Sequence, residues 1–195
     1  MNTGTPLALV ALLAVFTTGC ATSKSPAPSA IKPKTTAALR LVPKLDLPRF
    51  MGDWRVIANI PYFAEKNCVD SIESYALRPD GKIDNWFRFR KKTFEAPQQK
   101  MTALAWVHDK ESQAEWRVRF FGLITVKYIV LEVDPAYQWT VVGHPSRKYG
   151  WIMARGKTLP DETYEKILAH LPKHGYDAKQ FKKVPQLPSQ IAWLH

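Results

Sequence analysis

The sequence has little cysteine and no hydrophobic run long enough to cross a bilayer as a helix. Its longest apolar run covers residues 6–16 and is 11 residues long, whereas a transmembrane helix needs about 20. Also missing are a Gly-rich phosphate loop, a cluster of metal ligands at motif spacing and a Ser/His/Asp arrangement. We therefore predict neither a metal nor a cofactor, and no catalytic residues.

Acidic residues are scarce relative to basic ones. The chain has 17 Asp and Glu against 28 Lys and Arg, a net charge of +11. Such an excess suits nucleic acid or an anionic membrane surface. Because the N-terminus indicates export and the basic residues are not gathered into one helix, a membrane surface is favoured and nucleic acid is not expected. A solubilising surface charge explains the same balance and stays open.

Small residues follow the apolar run, in the order Thr17-Thr18-Gly19-Cys20, as they do at the cleavage sites of signal peptides. This tetrapeptide resembles the lipobox of bacterial lipoproteins. The resemblance implies that residues 1–19 are a removable signal and that Cys20 receives S-diacylglycerol and N-palmitoyl groups. By resemblance to lipoprotein sorting, Ala21 favours a lipid-anchored location at the cell outer membrane. The alternative is a buried helix in which Cys20 is an ordinary small residue.

The chain after Cys20 changes composition twice. Residues 20–44 are rich in Pro, Ser, Thr, Ala and Lys without an apolar period, which predicts a lipidated N-terminus and a flexible tether. One domain follows at 45–185, of the usual single-domain size, with a C-terminal tail at 186–195. With Cys20 acylated, Cys68 has no partner and is predicted to be a small packed residue.

Short apolar segments separated by turn signals predict an all-β domain of eight strands. Their spacing suggests either a sandwich or a barrel. Every connection is short enough for antiparallel neighbours, so an up-and-down meander follows, and Asp80-Gly81 marks one tight hairpin. A single helix, beginning near Thr158 or Asp161 and ending before Gly175, should pack outside it. The predicted strands are 53–60, 70–78, 83–91, 101–108, 114–121, 127–133, 138–143 and 149–155.

Apolar and charged residues alternate along the third and fifth predicted strands. In the fifth, Trp116, Val118 and Phe120 alternate with Arg117 and Arg119. Side chains of a strand point to opposite faces in turn, so one face is apolar and the other charged. An inward apolar face lines either a filled core or an elongated cavity, and the period does not distinguish the two.

Ordered motifs along the domain resemble those of the lipocalin family. A short helical entry leads into Gly52-x-Trp54, and the match continues through Glu65-Lys-Asn-Cys68 and Asp80-Gly-Lys-Ile83 to Trp151-Ile-Met-Ala-Arg155. The pattern is most similar to that of bacterial outer-membrane lipocalins. The resemblance implies an all-β, eight-stranded antiparallel up-and-down barrel with one C-terminal α-helix packed outside it. It also implies that Gly52, Trp54 and Arg155 are structural, with Arg155 over Trp54 at the closed end of the barrel.

The same resemblance implies a binding protein that stores or carries a fatty acid or lysophospholipid in its barrel. The membrane is a second partner, through the lipid anchor, and a homodimer stays open. An enzyme that acts on a lipid through a cavity cysteine or acid is the alternative. Seven residues are predicted to contact the ligand: Tyr75, Phe87, Phe89, Trp116, Val118, Tyr128 and Trp139.

Overall fold

The structure is a computed structural model that describes residues 39–187. Cys20 and the predicted signal peptide lie outside these residues. Two helices, eight long strands and one two-residue strand form the described part, together with two short 3-10 segments. In chain order they are α1 (Leu47–Phe50), β1 (Gly52–Asn59), β2 (Cys68–Leu77), β3 (Lys82–Lys91), β4 (Gln99–Val107), β5 (Glu115–Phe120), β6 (Ile124–Val133), β7 (Trp139–Gly143), β8 (Gly150–Ala154), α2 (Asp161–His170) and β9 (Lys182–Lys183).

The strands form one closed antiparallel barrel. Each of β1 to β8 pairs with its neighbours in the chain, and β1 pairs with both β2 and β8, which closes the sheet. The predicted eight-stranded up-and-down barrel with an outer helix is therefore confirmed. The short β9, which was not predicted, pairs with β1 beside β8.

Two apolar layers stabilise the barrel, one inside it and one between the sheet and α2. On β6, Val130 points inward, while its neighbours Ile129 and Leu131 belong to the outer layer. Tyr164 and Ile167 of α2 complete that outer layer. Because successive side chains of a strand point to opposite faces, one strand supplies residues to both layers. None of the helices described here is long and apolar enough to cross a membrane.

Both ends of the described chain are attached to the barrel. The Val42 amide donates to the Val130 carbonyl at 3.1 Å, and Leu41 packs on both apolar layers. The Gln186 amide nitrogen donates to the Val56 carbonyl at 2.8 Å. Residues on both sides of the predicted domain 45–185 therefore hydrogen bond to strands of the barrel.

Candidate functional site

Strand direction defines two ends of the barrel. The odd-numbered strands β1, β3, β5 and β7 run toward the connections 60–67, 92–98, 121–123 and 144–149, which we call the open end. The opposite end carries α1 and the connections 78–81, 108–114 and 134–138, and we call it the closed end. This polarity decides where a ligand enters.

A cavity of about 290 Å³ lies inside the barrel. Inward side chains from five strands form its apolar wall, and residues of the open-end connections surround its mouth. The wall side chains are Phe87, Met101, Val118, Phe120, Val126 and Met153. An apolar wall of this kind can hold an acyl chain, since each methylene that is buried contributes about 0.8 kcal/mol to the free energy of binding.

An aromatic cluster fills the closed end below the cavity. The ring of Phe50, from α1, lies 5.0 Å from Trp54 and 5.4 Å from Trp116. Trp116 stacks on Tyr128 at 5.1 Å. The hydroxyls of Tyr75 and Tyr128 hydrogen bond at 2.7 Å, and both tyrosines line the cavity. The cavity floor is therefore a rigid aromatic layer with two hydroxyls at its surface.

Arg155 seals this end from outside. Its guanidinium carbon lies 3.7 Å from the centre of the Trp54 ring, where the ring face attracts a cation. Gly52 stands beside it at φ +94°, a conformation that glycine adopts at little cost. The guanidinium also donates to three backbone carbonyls, those of Arg49, Met51 and Asp53, at 2.7–2.8 Å. It thereby ties α1 to the start of β1.

One carboxyl group, that of Glu73, belongs to the cavity wall. The side-chain nitrogen of Asn85 donates to Glu73 Oε2 at 2.6 Å. Within residues 39–187 no basic side chain pairs with Glu73. Burial raises its pKa to about 8; the Asn85 hydrogen bond opposes that rise, and the charge of Glu65 adds to it. Glu73 is therefore largely protonated at neutral pH, which makes it compatible with an apolar ligand.

A second carboxyl group, Glu65, fixes the longest open-end connection. It accepts a hydrogen bond from Trp151 Nε1 at 2.9 Å and contacts the side-chain nitrogen of Asn59. Burial raises the pKa of Glu65, while the hydrogen bonds of Trp151 and Asn59 oppose the rise. Connection 60–67 is thus held against β8 and β1 at the mouth of the cavity.

Cys68 begins β2 beside this connection. Its thiol faces the Ala64 carbonyl at 3.7 Å, and that carbonyl also accepts a hydrogen bond from Lys91 Nζ at 2.7 Å. Burial raises the pKa of the Cys68 thiol despite the nearby ammonium group of Lys91. The reactive form of cysteine is the thiolate, so this environment disfavours a nucleophile.

The structure brings four of the seven predicted ligand residues together around the cavity. They come from β2, β3, β5 and β6, and they are Tyr75, Phe87, Val118 and Tyr128. Their contact with a ligand stays a prediction. What the geometry adds is that their side chains share one enclosed surface, from the floor to the middle of the barrel.

The other three predicted residues lie elsewhere. Phe89 stacks on Phe87 at 4.8 Å within the inner layer, and Trp116 lies beneath the floor tyrosines. Neither lines the cavity. The prediction that Trp139 contacts a ligand in the cavity is wrong, since its side chain packs against the outer layer beneath α2. On β7 the inward side chains are those of Thr140 and Val142, so the register is one residue away from the predicted one.

Several cavity residues were missed from the sequence. Glu73 lies two residues before Tyr75 on β2, so a period of two would have placed it on the same face. Phe120 continues the row of Val118 and could have been found likewise. Met153 gave no such signal, because β8 has only five residues and four of them are buried.

A closed antiparallel barrel of eight strands, with one sealed end and one apolar cavity, is the architecture of small-ligand-binding barrels. The chain belongs to the lipocalin family: residues 45–186 match the lipocalin-like domain. The match covers the barrel and α2, and it agrees with the family resemblance found in the motifs.

Among curated relatives, the chain is similar to temperature-induced lipocalin-1 of Arabidopsis thaliana, with 32% identity over 76% of this chain and 83% of the relative. It is also similar to the outer membrane lipoprotein Blc of Escherichia coli, with 28% identity over 79% of this chain and 86% of that protein.

Among solved structures, the fold is similar to insecticyanin of Manduca sexta. The TM-score is 0.62 and the identity 22%, with 78% of this chain and 86% of insecticyanin covered. Lobster apocrustacyanin A1 gives a TM-score of 0.59 at 12% identity, with 78% and 94% covered. At these identities the likeness extends to the fold alone.

Proposed function

We propose that this lipocalin binds a single-chain lipid, a fatty acid or lysophospholipid, and that acyl groups on Cys20 anchor it to the bacterial outer membrane. In this proposal it stores or carries the lipid at the membrane surface and is a binding protein, not an enzyme. The observation that carries the proposal is the apolar cavity inside the barrel, which has its mouth at the open end and an aromatic floor at the other.

The size of the cavity favours a narrow ligand. Its volume of about 290 Å³ lies just below the range of roughly 300–1,000 Å³ that is usual for ligand sites. A single acyl chain fits a space of that size and shape better than a two-chain phospholipid. The polar head would remain at the mouth, because the aromatic floor closes the opposite end.

The polar groups of the wall are compatible with an acyl chain. The two floor hydroxyls satisfy one another, and Glu73 is bonded to Asn85. Paired polar groups lose little when an apolar chain covers them, whereas an unpaired charge would be costly. The raised pKa of Cys68 also supports binding over catalysis.

The anchor rests on sequence and similarity. The residues before Cys20 resemble a lipobox, and the relative from Escherichia coli is an outer membrane lipoprotein by name. Residues 20–38 lie between the proposed lipid and the described domain. Two or more acyl chains give stable attachment where one chain gives marginal binding.

A pair of charge substitutions on β5 tests the cavity. Val118 points inward and is buried, whereas its neighbour Arg117 points outward and pairs with Glu115 at 2.7 Å. Val118→Glu should weaken the binding of a fluorescent fatty acid strongly at pH 7, because an unpaired charge would face the ligand. Arg117→Glu, the matched control, should leave it within a few-fold.

Circular dichroism and tryptophan emission must accompany the titration, so that only folded variants are compared. Loss of binding in Arg117→Glu with retention in Val118→Glu would mean that the ligand does not occupy the barrel. No saturable binding of any acyl lipid by the folded wild-type protein would refute the proposed function itself.

A further inference from the structure

Four large apolar side chains project into solvent at the open end. Phe63 is 92% exposed, Leu123 is 87% exposed, Phe121 is 71% exposed and Ile124 is 59% exposed. Phe63 lies in connection 60–67, and the other three lie in or beside the β5–β6 connection. Contiguous exposed apolar side chains on a soluble domain mark an interaction surface. We call these four residues the apolar rim.

The apolar rim is continuous with the cavity. Phe63, Phe121 and Ile124 line the cavity mouth as well as the outer surface. Tyr62 packs edge-on against Phe63 at 5.7 Å and against Tyr149 at 5.4 Å, which supports the rim from one side. A surface that contacts the rim therefore also contacts the entrance of the barrel.

The charge of the connections differs between the two ends. Those of the open end carry four basic residues against two acidic ones, and one of the two, Glu65, is buried. Those of the closed end, together with segment 155–160 that follows β8, carry four basic residues against four acidic ones. The basic residues of the open end are Lys66, Lys92, Arg147 and Lys148. Apolar side chains flanked by basic residues suit an anionic lipid surface.

We propose that the open end docks on an anionic lipid leaflet. The apolar rim inserts among the lipid head groups, and the lysines beside the rim contact the anionic head groups. The cavity mouth then faces the acyl region, so a single-chain lipid can enter without crossing water. A lipid surface accounts for the apolar rim, the basic flank and the lipid-sized cavity behind them together. This inference does not depend on which lipid the cavity holds.

The proposed anchor permits this orientation. Nineteen residue steps separate Cys20 from Leu39, and a chain of that length reaches at most about 65 Å. Attachment at Cys20 therefore leaves the open end free to turn toward the same membrane. The anchor would hold the protein at the membrane while the rim sets how the barrel sits on it.

Flotation with vesicles tests the docking. The mature chain, residues 20–195, carries Cys20→Ser so that no acyl group contributes. It should float with vesicles of phosphatidylglycerol and phosphatidylcholine, and much less with phosphatidylcholine alone. Phe63→Ser and Leu123→Ser should each reduce partitioning about tenfold, since each removes one large apolar side chain that docking would bury in the lipid. Leu77→Ser, the matched control at the closed end, should leave partitioning unchanged.

A charge arm separates electrostatic from apolar binding. Lys66→Glu together with Lys148→Glu should reduce binding to anionic vesicles and raise its salt sensitivity. Lys110→Glu, an exposed lysine at the closed end, makes the same kind of change and should have little effect. All these positions are exposed, so circular dichroism should show an unchanged fold.

Equal partitioning of the rim variants and Leu77→Ser would overturn the inference. The inference would also be overturned if the rim forms a contact between two copies of the chain. In that case wild type would be a dimer that Phe63→Ser dissociates, and wild type would not float with vesicles. Fatty-acid titration in solution gives an independent reading through Leu123, which does not line the cavity. A Leu123→Ser protein that keeps saturable binding but loses flotation supports docking and leaves the proposed function intact.

Discussion

Glu73 links the cavity to the pH dependence of stability. It is a carboxyl group in the wall of an apolar space, bonded to Asn85 on β3. The titratable groups that act on it or respond to it are Glu65 of the open-end connection, Tyr75 beside it on β2, Tyr62 and Tyr128. None of these is a cation at neutral pH, so ionised Glu73 would lack a partner charge among them.

The magnitude follows from the pKa. Burial raises the pKa of Glu73 from its ordinary value of 4.5 to about 8, so the folded protein holds this proton more tightly than the unfolded chain. The contribution of this proton to the free energy of unfolding is fully present below about pH 4.5 and is lost progressively as the pH rises to about 8. Each unit of difference between the folded and unfolded pKa changes the free energy of unfolding by about 1.4 kcal/mol. Because part of the carboxyl faces the cavity, we expect a loss of about 2–5 kcal/mol.

Glu73→Gln isolates this effect, since glutamine keeps the shape and stays neutral at every pH. Urea unfolding of both proteins at a series of pH values gives the difference in the free energy of unfolding. Relative to wild type, Glu73→Gln should gain stability steadily from about pH 5 to about pH 8 and change little above that. A difference that is flat across this range would show that Glu73 is solvated and that the wall is wet at this point.

Three further substitutions test the base, the outer layer and the anchor. Trp54→Ala should lower the free energy of unfolding by about 3–5 kcal/mol, measured by urea, because it empties a fully buried site. Burial raises the pKa of Glu132, but hydrogen bonds to His174 and His170 outweigh it and lower that pKa. Glu132→Gln should therefore lower the melting temperature at pH 7, with a difference from wild type that shrinks as the pH falls below 4.5, the ordinary pKa of this carboxyl group. Cys20→Ser should release the protein from the membrane fraction, and sedimentation with membranes as before would refute the lipid anchor.

Most of the barrel could be predicted from its sequence because strand alternation is a local property. Along β3 and β5, each inward side chain is apolar or amide, and each outward one is charged except the partly buried Trp86. Hairpin residues then set the connections; Gly81 adopts φ +77° in the predicted turn. Where the alternation is clear over five or more residues, the register follows without tertiary information.

The register of short strands could not be predicted in the same way. On β7, Trp139 and Val141 face α2, whereas Val142 faces the barrel interior. Both faces of this strand are apolar, because α2 covers one and the core covers the other. A strand buried on two sides loses the contrast between its faces, and a large aromatic residue then gives no indication of direction. That is why Trp139 was assigned to the cavity.

The acidity of the cavity wall depends on tertiary structure in a different way. Glu73 stands on the inward face of β2, between the apolar Ile72 and the buried Ser74, and nothing local to β2 protonates it. Its pKa is raised because the barrel removes water from around it and brings Glu65 near it from another segment. A period of two therefore places this side chain in the barrel, but only the closed structure makes it a neutral hydrogen-bonding group. Within residues 39–187 the aromatic floor leaves the open end as the route into the cavity. Leu123 is exposed beside that end and does not line the cavity, so its replacement should separate membrane docking from ligand binding.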